Sequence, residues 1–166
     1  MKVTFDIKLS AKDIFKFNMY QAYRGMQGLI STLIPLVIIG TVIWKYNDFG
    51  LANALLYIGM AIVLVIYLPA SLWLRSNRAI KTNEALAKPL HYEFSEENIC
   101  VSQEDQNVEF QWENIYKMIA TKSMVLIYTN RMNAYIIPRE QMQEQYVDLA
   151  TLAQSQLAKF RVKMKK

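Results

Sequence analysis

Cysteine and histidine are nearly missing from this chain: Cys100 and His91 are the only ones among 166 residues. A single thiol excludes an internal disulfide, and one imidazole with one thiol leaves no paired-ligand spacing for a structural zinc. Cys100, between Ile99 and Val101, reads as a small packed side chain rather than a nucleophile. Glycine is scarce too, five in all, and no glycine-rich phosphate loop can be drawn from them. A Ser-His-Asp set would have to enlist His91. The densest carboxylates, Glu96, Glu97, Glu104 and Asp105, fall in turn-like stretches where solvated acids are routine. An enzyme is therefore not expected, and no catalytic residue, cofactor-binding residue or metal ligand is assigned.

Charge is missing from two long stretches. No Asp, Glu, Lys, Arg or His occurs from Gly25 to Trp44 or from Phe49 to Leu74. A helix rises about 1.5 Å per residue, so either run can cross the roughly 30 Å hydrocarbon layer of a bilayer. The pattern predicts a transmembrane hairpin, with spans at 25–44 and 51–74 and a short external loop at 45–50. Intramembrane charges mark proton relays and ion paths, so their absence argues against a self-sufficient pump or transporter. Pro35 and Pro69 fall inside the spans and are candidate hinge positions, the alternative being static shaping of two packed helices. Small residues, among them Gly28, Gly40, Ala54, Gly59 and Ala61, permit close helix approach within a hairpin or between copies.

What charge there is flanks these runs. Lys2, Lys8, Lys12, Lys16 and Arg24 precede the first, and Arg75, Arg78, Lys81 and Lys88 follow the second, while Lys45 and Asp48 cancel in the loop. The positive-inside rule then places both termini in the cytoplasm, as expected for a multi-pass protein of a bacterial cytoplasmic membrane. The first span is expected to act as an uncleaved signal anchor, being too late and too long for a signal-peptide core. The net charge of +5 follows the membrane flanks rather than an aromatic-interleaved patch, so nucleic acid is not an expected partner. Candidate contacts to anionic lipid are Arg24, Arg75, Arg78, Lys81, Lys163 and Lys165.

The rest of the chain reads as a small soluble unit. Residues 1–24 hold a strictly alternating strand, Val3 to Leu9, and a helix capped by Ser10 with Asp13 in its first turn. Residues 75–89 are polar and helix-forming, an extension of the second span by two or three turns ended by Pro89. Residues 90–166 read as short strands, alternating at 90–94 and 108–112, with Ile99 and Val101 between them and apolar runs at 115–120, 124–128 and 134–137, the pattern of an antiparallel meander. Met142, Tyr146, Leu149, Ala153, Leu157, Phe160 and Met164 then follow at spacings of three and four, a stripe that predicts one amphipathic helix over the sheet.

Three segments carry a family likeness: Tyr92-Glu93-Phe94-Ser95-Glu96-Glu97-Asn98-Ile99, Phe110-Gln111-Trp112-Glu113-Asn114-Ile115-Tyr116-Lys117, and Ala134-Tyr135-Ile136-Ile137-Pro138-Arg139. Behind a short strand, a helix and a two-span hairpin, this order resembles the YcxB-like family of small bacterial membrane proteins. The resemblance implies an α+β membrane protein: a two-helix transmembrane hairpin plus a cytoplasmic antiparallel β-meander capped by a C-terminal amphipathic helix, similar to pleckstrin-homology-like modules. It brings no catalytic motif, and Trp112 and Tyr135 are read as sheet and core residues. The expected function is a membrane-tethered binding module for a protein partner or inner-leaflet lipid. The alternative is a subunit of a small homo-oligomeric channel or transport accessory.

Overall fold

The computed structural model describes residues 2–104, 106–142 and 144–164, and for Phe49 and Ala87 the backbone only. Residues 14–79 form one unit, and residues 1–13 with 80–166 form a second.

The first unit is built by three helices, α1 (Ala11–Arg24), α2 (Met26–Trp44) and α3 (Tyr46–Thr82). Ser10 and Asp13 start α1 reciprocally: the Ser10 N–H and hydroxyl donate to the Asp13 carboxylate, and the Asp13 N–H donates to Ser10 Oγ. At Gly25 the chain turns so tightly that a Cβ on Gly28 would stand 2.5 Å from Tyr23 Cα and 2.7 Å from the Ala22 carbonyl oxygen. Only glycine fits there. Along α2 the buried residues are Gly28, Pro35 and Val42, and along α3 Ala54, Ala61 and Leu68 are buried too. Within each of these sets the residues are seven apart and so share one face of their helix, and Leu72 and Ser76 are buried further along α3. The loop expected at 45–50 is largely helical, and Gly50 (φ +66°) separates its single turn from the long helix. That left-handed φ suits glycine. Beyond Leu74, α3 runs on to Thr82, which is about two further turns.

The second unit begins with β1 (Val3–Ile7), whose Val3, Phe5 and Ile7 are buried while Asp6 is exposed. After a short helix α4 (Glu84–Ala87), β1 pairs antiparallel with β2 (Leu90–Phe94), which pairs with β3 (Asn98–Gln103), which pairs with β4 (Gln106–Gln111). The leading strand thus completes the sheet of the trailing domain. A second sheet has the order β7-β6-β5-β8, from β5 (Lys117–Ala120), β6 (Met124–Tyr128), β7 (Ala134–Pro138) and β8 (Val162–Lys163). The single meander expected from sequence is therefore divided into two four-stranded sheets. The break falls at the 3-10 turn Trp112–Asn114, where the buried Trp112 ring turns inward and its indole N–H donates to the Ser95 carbonyl at 2.9 Å.

The expected C-terminal helix is also corrected. Its apolar stripe is shared by α5 (Arg139–Met142) and α6 (Gln145–Gln156), and the chain is extended from Leu157. Pairing β8 in parallel with β5 gives the β5 edge a partner, and the Met118 N–H donates to the Arg161 carbonyl at 2.8 Å. An unpaired edge would leave strand donors and acceptors to water, which outweighs the modest helix preference of the last residues. The core gathers Phe94, Leu126, Ile137, Met142 and Leu149, all at most 1% exposed. Gln141 fastens α5 to the end of β1 by accepting from the Lys8 N–H (2.8 Å) and donating to the Lys8 carbonyl (2.9 Å).

Candidate functional site

The cations picked out from the sequence do not form one cluster. Arg24 closes α1 and is occupied locally, its guanidinium donating to the Tyr20 hydroxyl at 2.7 Å and lying over that ring. Arg75, Arg78 and Lys81 recur at every third position of α3, all on the polar continuation of the apolar helix. Lys163 lies on β8, and Lys165 lies outside the described residues. The hinge candidates sit in uninterrupted helix: α2 runs through Pro35 and α3 through Pro69. Pro35 is buried and borders an open apolar groove of about 400 Å³ with Gln27, Ser31, Leu64 and Tyr67.

Hydroxyls in these helices bond to their own backbone. Ser31 and Thr32 both donate to the Gly28 carbonyl, at 3.0 and 2.9 Å, Thr41 donates to Val37, and Ser71 to Leu68. Near the charged end, buried Ser76 donates to the Leu72 carbonyl and accepts from the Asn18 amide at 3.1 Å, while Phe15 meets Trp73 edge-on at 5.3 Å. These contacts bind α1 to α3.

In the sheet unit, Tyr92 of β2 and Tyr135 of β7 meet edge-on at 6.2 Å, and Phe110 of β4 lies 5.4 Å from Tyr135. Burial, with Tyr135 nearby, pushes the Tyr92 phenol far above its ordinary range, and burial raises that of Tyr135. Both are neutral at physiological pH. The Tyr92 hydroxyl is buried without a hydrogen-bond partner among the described residues. His91 and Asp6, opposite each other on β2 and β1, approach to 2.7 Å at the surface. Cys100 is half-buried on β3. Among the described residues, no three His, Cys, Asp or Glu side chains are gathered as a metal site.

A cleft lined by cations from three chain segments was not legible in the sequence. An open cleft of about 830 Å³ is lined by Lys122 from the β5–β6 turn, Arg139 at the start of α5, Tyr146 of α6 and Lys163 of β8. Arg139 is held firmly: its guanidinium carbon lies 3.9 Å from the centre of the Tyr146 ring and one nitrogen lies 3.4 Å from the Thr121 carbonyl. Its backbone N–H donates to the Ser123 carbonyl at 3.0 Å. Lys122 and Lys163 are exposed at the rim. Of these cations only Lys163 was singled out in advance. No spacing links positions 122, 139 and 163, because strand pairing alone brings them together.

Residues 94–153 match the YcxB-like protein family, the family that the sequence resembles. The matched stretch takes in Lys122, Arg139 and Tyr146, while β8 and Lys163 lie beyond it. No curated protein and no solved structure matches the chain.

Proposed function

We propose that this chain, YcxB-like over residues 94–153, is a non-enzymatic, membrane-tethered binding module. In this reading α2 and α3 cross a bacterial cytoplasmic membrane as a hairpin with both termini inside, and the sheet unit recognises a protein partner or an inner-leaflet lipid. The observation that carries it is the distribution of exposed apolar surface. Among the described residues, the large exposed hydrophobic side chains lie between Tyr23 and Leu74, except for Val108, Tyr116, Met132, Val147 and Phe160. Only 17% of either apolar window is buried. A core helix of a water-soluble protein would be mostly covered, and so bare a helix pair supports a hydrocarbon surrounding. The internally bonded hydroxyls fit that surrounding. The sheet unit, by contrast, completes its own core. Two sheets, antiparallel in every pairing except β5 with β8, together with α6 support the pleckstrin-like comparison.

Gly40 and Gly59 favour a second reading, a homo-oligomeric channel or transport accessory. Both are exposed, and a Cβ on either would meet nothing within 4 Å, which leaves room for another helix to approach. Native mass spectrometry of the protein released gently from its own membrane separates the two. A monomer or dimer that retains an anionic lipid or a second protein is expected. A discrete higher oligomer with neither would replace the module by the channel reading.

A further inference from the structure

We propose that the cleft between the β5–β6 turn, α5 and β8 binds a phosphate-bearing anion through Lys122, Arg139 and Lys163. The proposal rests on reading the sheet unit as a binding module and names the chemistry that the module recognises. Three cations from separate chain segments line this cleft, and no carboxylate is among its lining residues. Like charges around one cleft repel, so such a grouping favours an anion among them.

The parts divide the work in a way that suits phosphate. Arg139 is preordered by the Tyr146 ring and the Thr121 carbonyl, and the carbonyl engages only one of its nitrogens. A guanidinium has five N–H donors in a planar fork, so donors remain for two oxygens of one phosphate. Lys122 and Lys163 add two mobile point charges at the rim, which accommodate an anion without demanding one orientation. Lys163 is not there by accident of a loose tail. Parallel pairing of Ile119 with Lys163 and the bond from the Gln154 side chain to the Met164 carbonyl (2.9 Å) strap this segment to the sheet. The volume admits a phosphate ester or a lipid headgroup, two sources with the same chemistry.

The test uses full-length protein in phosphatidylcholine nanodiscs, titrated calorimetrically with inorganic pyrophosphate. Saturable binding is expected, weakened at least about tenfold by the double variant K122Q/K163Q. The control K12Q/K159Q removes the same charge from exposed lysines outside the cleft lining and is expected to leave affinity within about twofold. Repeating the titration in discs containing one-fifth phosphatidic acid identifies the source. A further tenfold loss of apparent pyrophosphate affinity means that a headgroup fills the cleft, and unchanged affinity points to a soluble phosphate compound. No binding at millimolar pyrophosphate, equal losses in both double variants, or preferential binding of a polyglutamate peptide would overturn the proposal. Any of these results leaves partners found by native mass spectrometry untouched, so failure here is distinct from failure of the module reading.

Discussion

The two units of this chain solve opposite solvent problems with similar side chains. In the hairpin, Leu33, Val37, Leu55 and Val63 are each at least 55% exposed, and the buried positions of α2 and α3 mix small and larger residues, Gly28, Ala54 and Ala61 with Pro35, Val42 and Leu68. In the sheet unit, Leu126, Ile137 and Leu149 are fully covered, and among the described residues Val108, Tyr116, Met132, Val147 and Phe160 are the large hydrophobics left exposed. Apolar burial drives the second unit, where covering one Leu or Ile contributes about 1.5–3 kcal/mol. Within a bilayer that term vanishes between helices, and close backbone approach takes its place. One lesson follows: the two units differ less in which residues they bury than in how much apolar side chain they leave uncovered.

The most damaging change expected is at the tightest approach. Gly28→Val must push its side chain into the backbone of Ala22 and Tyr23, and it should cost upwards of about 3 kcal/mol. Resistance of the hairpin to graded denaturing detergent is the measurement, and an unshifted midpoint would break the account of that turn. Close behind comes Ile62→Arg, half-exposed in mid-helix. In a membrane it should lower insertion by about 2.5–3.5 kcal/mol, whereas on a water-facing helix it would improve solubility. An insertion assay gives the sign.

Paired truncations sharpen the contrast further. Leu149→Ala is expected to destabilise the sheet unit by about 2–5 kcal/mol, and Leu56→Ala, 64% exposed on α3, by under about 0.5 kcal/mol. Tyr92→Phe acts in the opposite direction. Removing a buried hydroxyl that lacks a partner should stabilise the unit by up to about 1 kcal/mol at neutral pH. Its pH dependence has a definite sign. The folded-state phenol titrates above the ordinary value of about 10, so stability is fully present below pH 10 and falls as pH rises beyond it. Tyr92→Phe should flatten that alkaline decline in thermal melts.

Helices and strands were largely legible because their patterns survive in the residues: charge-free runs for α2 and α3, alternation for β1 and β2, and an unbroken apolar run for β6. The Ser10–Asp13 start of α1 was equally plain, since a cap is a local device. What stayed hidden depends on distant partners. The pairing of β1 with β2, across more than 80 residues, is written in no local pattern. Neither is the conversion of the C-terminal stripe into an edge strand, because Leu157, Phe160 and Met164 keep helical spacing while β5 offers a better bonded place. The candidate cleft failed to show for the same reason: Lys122 and Arg139 look like ordinary turn and helix-start cations until β8 brings Lys163 beside them.

The central claim is that the hairpin crosses a membrane twice and leaves the sheet unit on the inner side. Cys100→Ser clears the background for two single-cysteine variants, Asn47→Cys between the spans and Asn130→Cys in the exposed β6–β7 turn. Each is treated in intact spheroplasts with a membrane-impermeant maleimide. Labelling of position 47 from outside, with position 130 labelled only after permeabilisation, is the expected result. Labelling of both from the same side would contradict the hairpin, and the tethered-module reading with it.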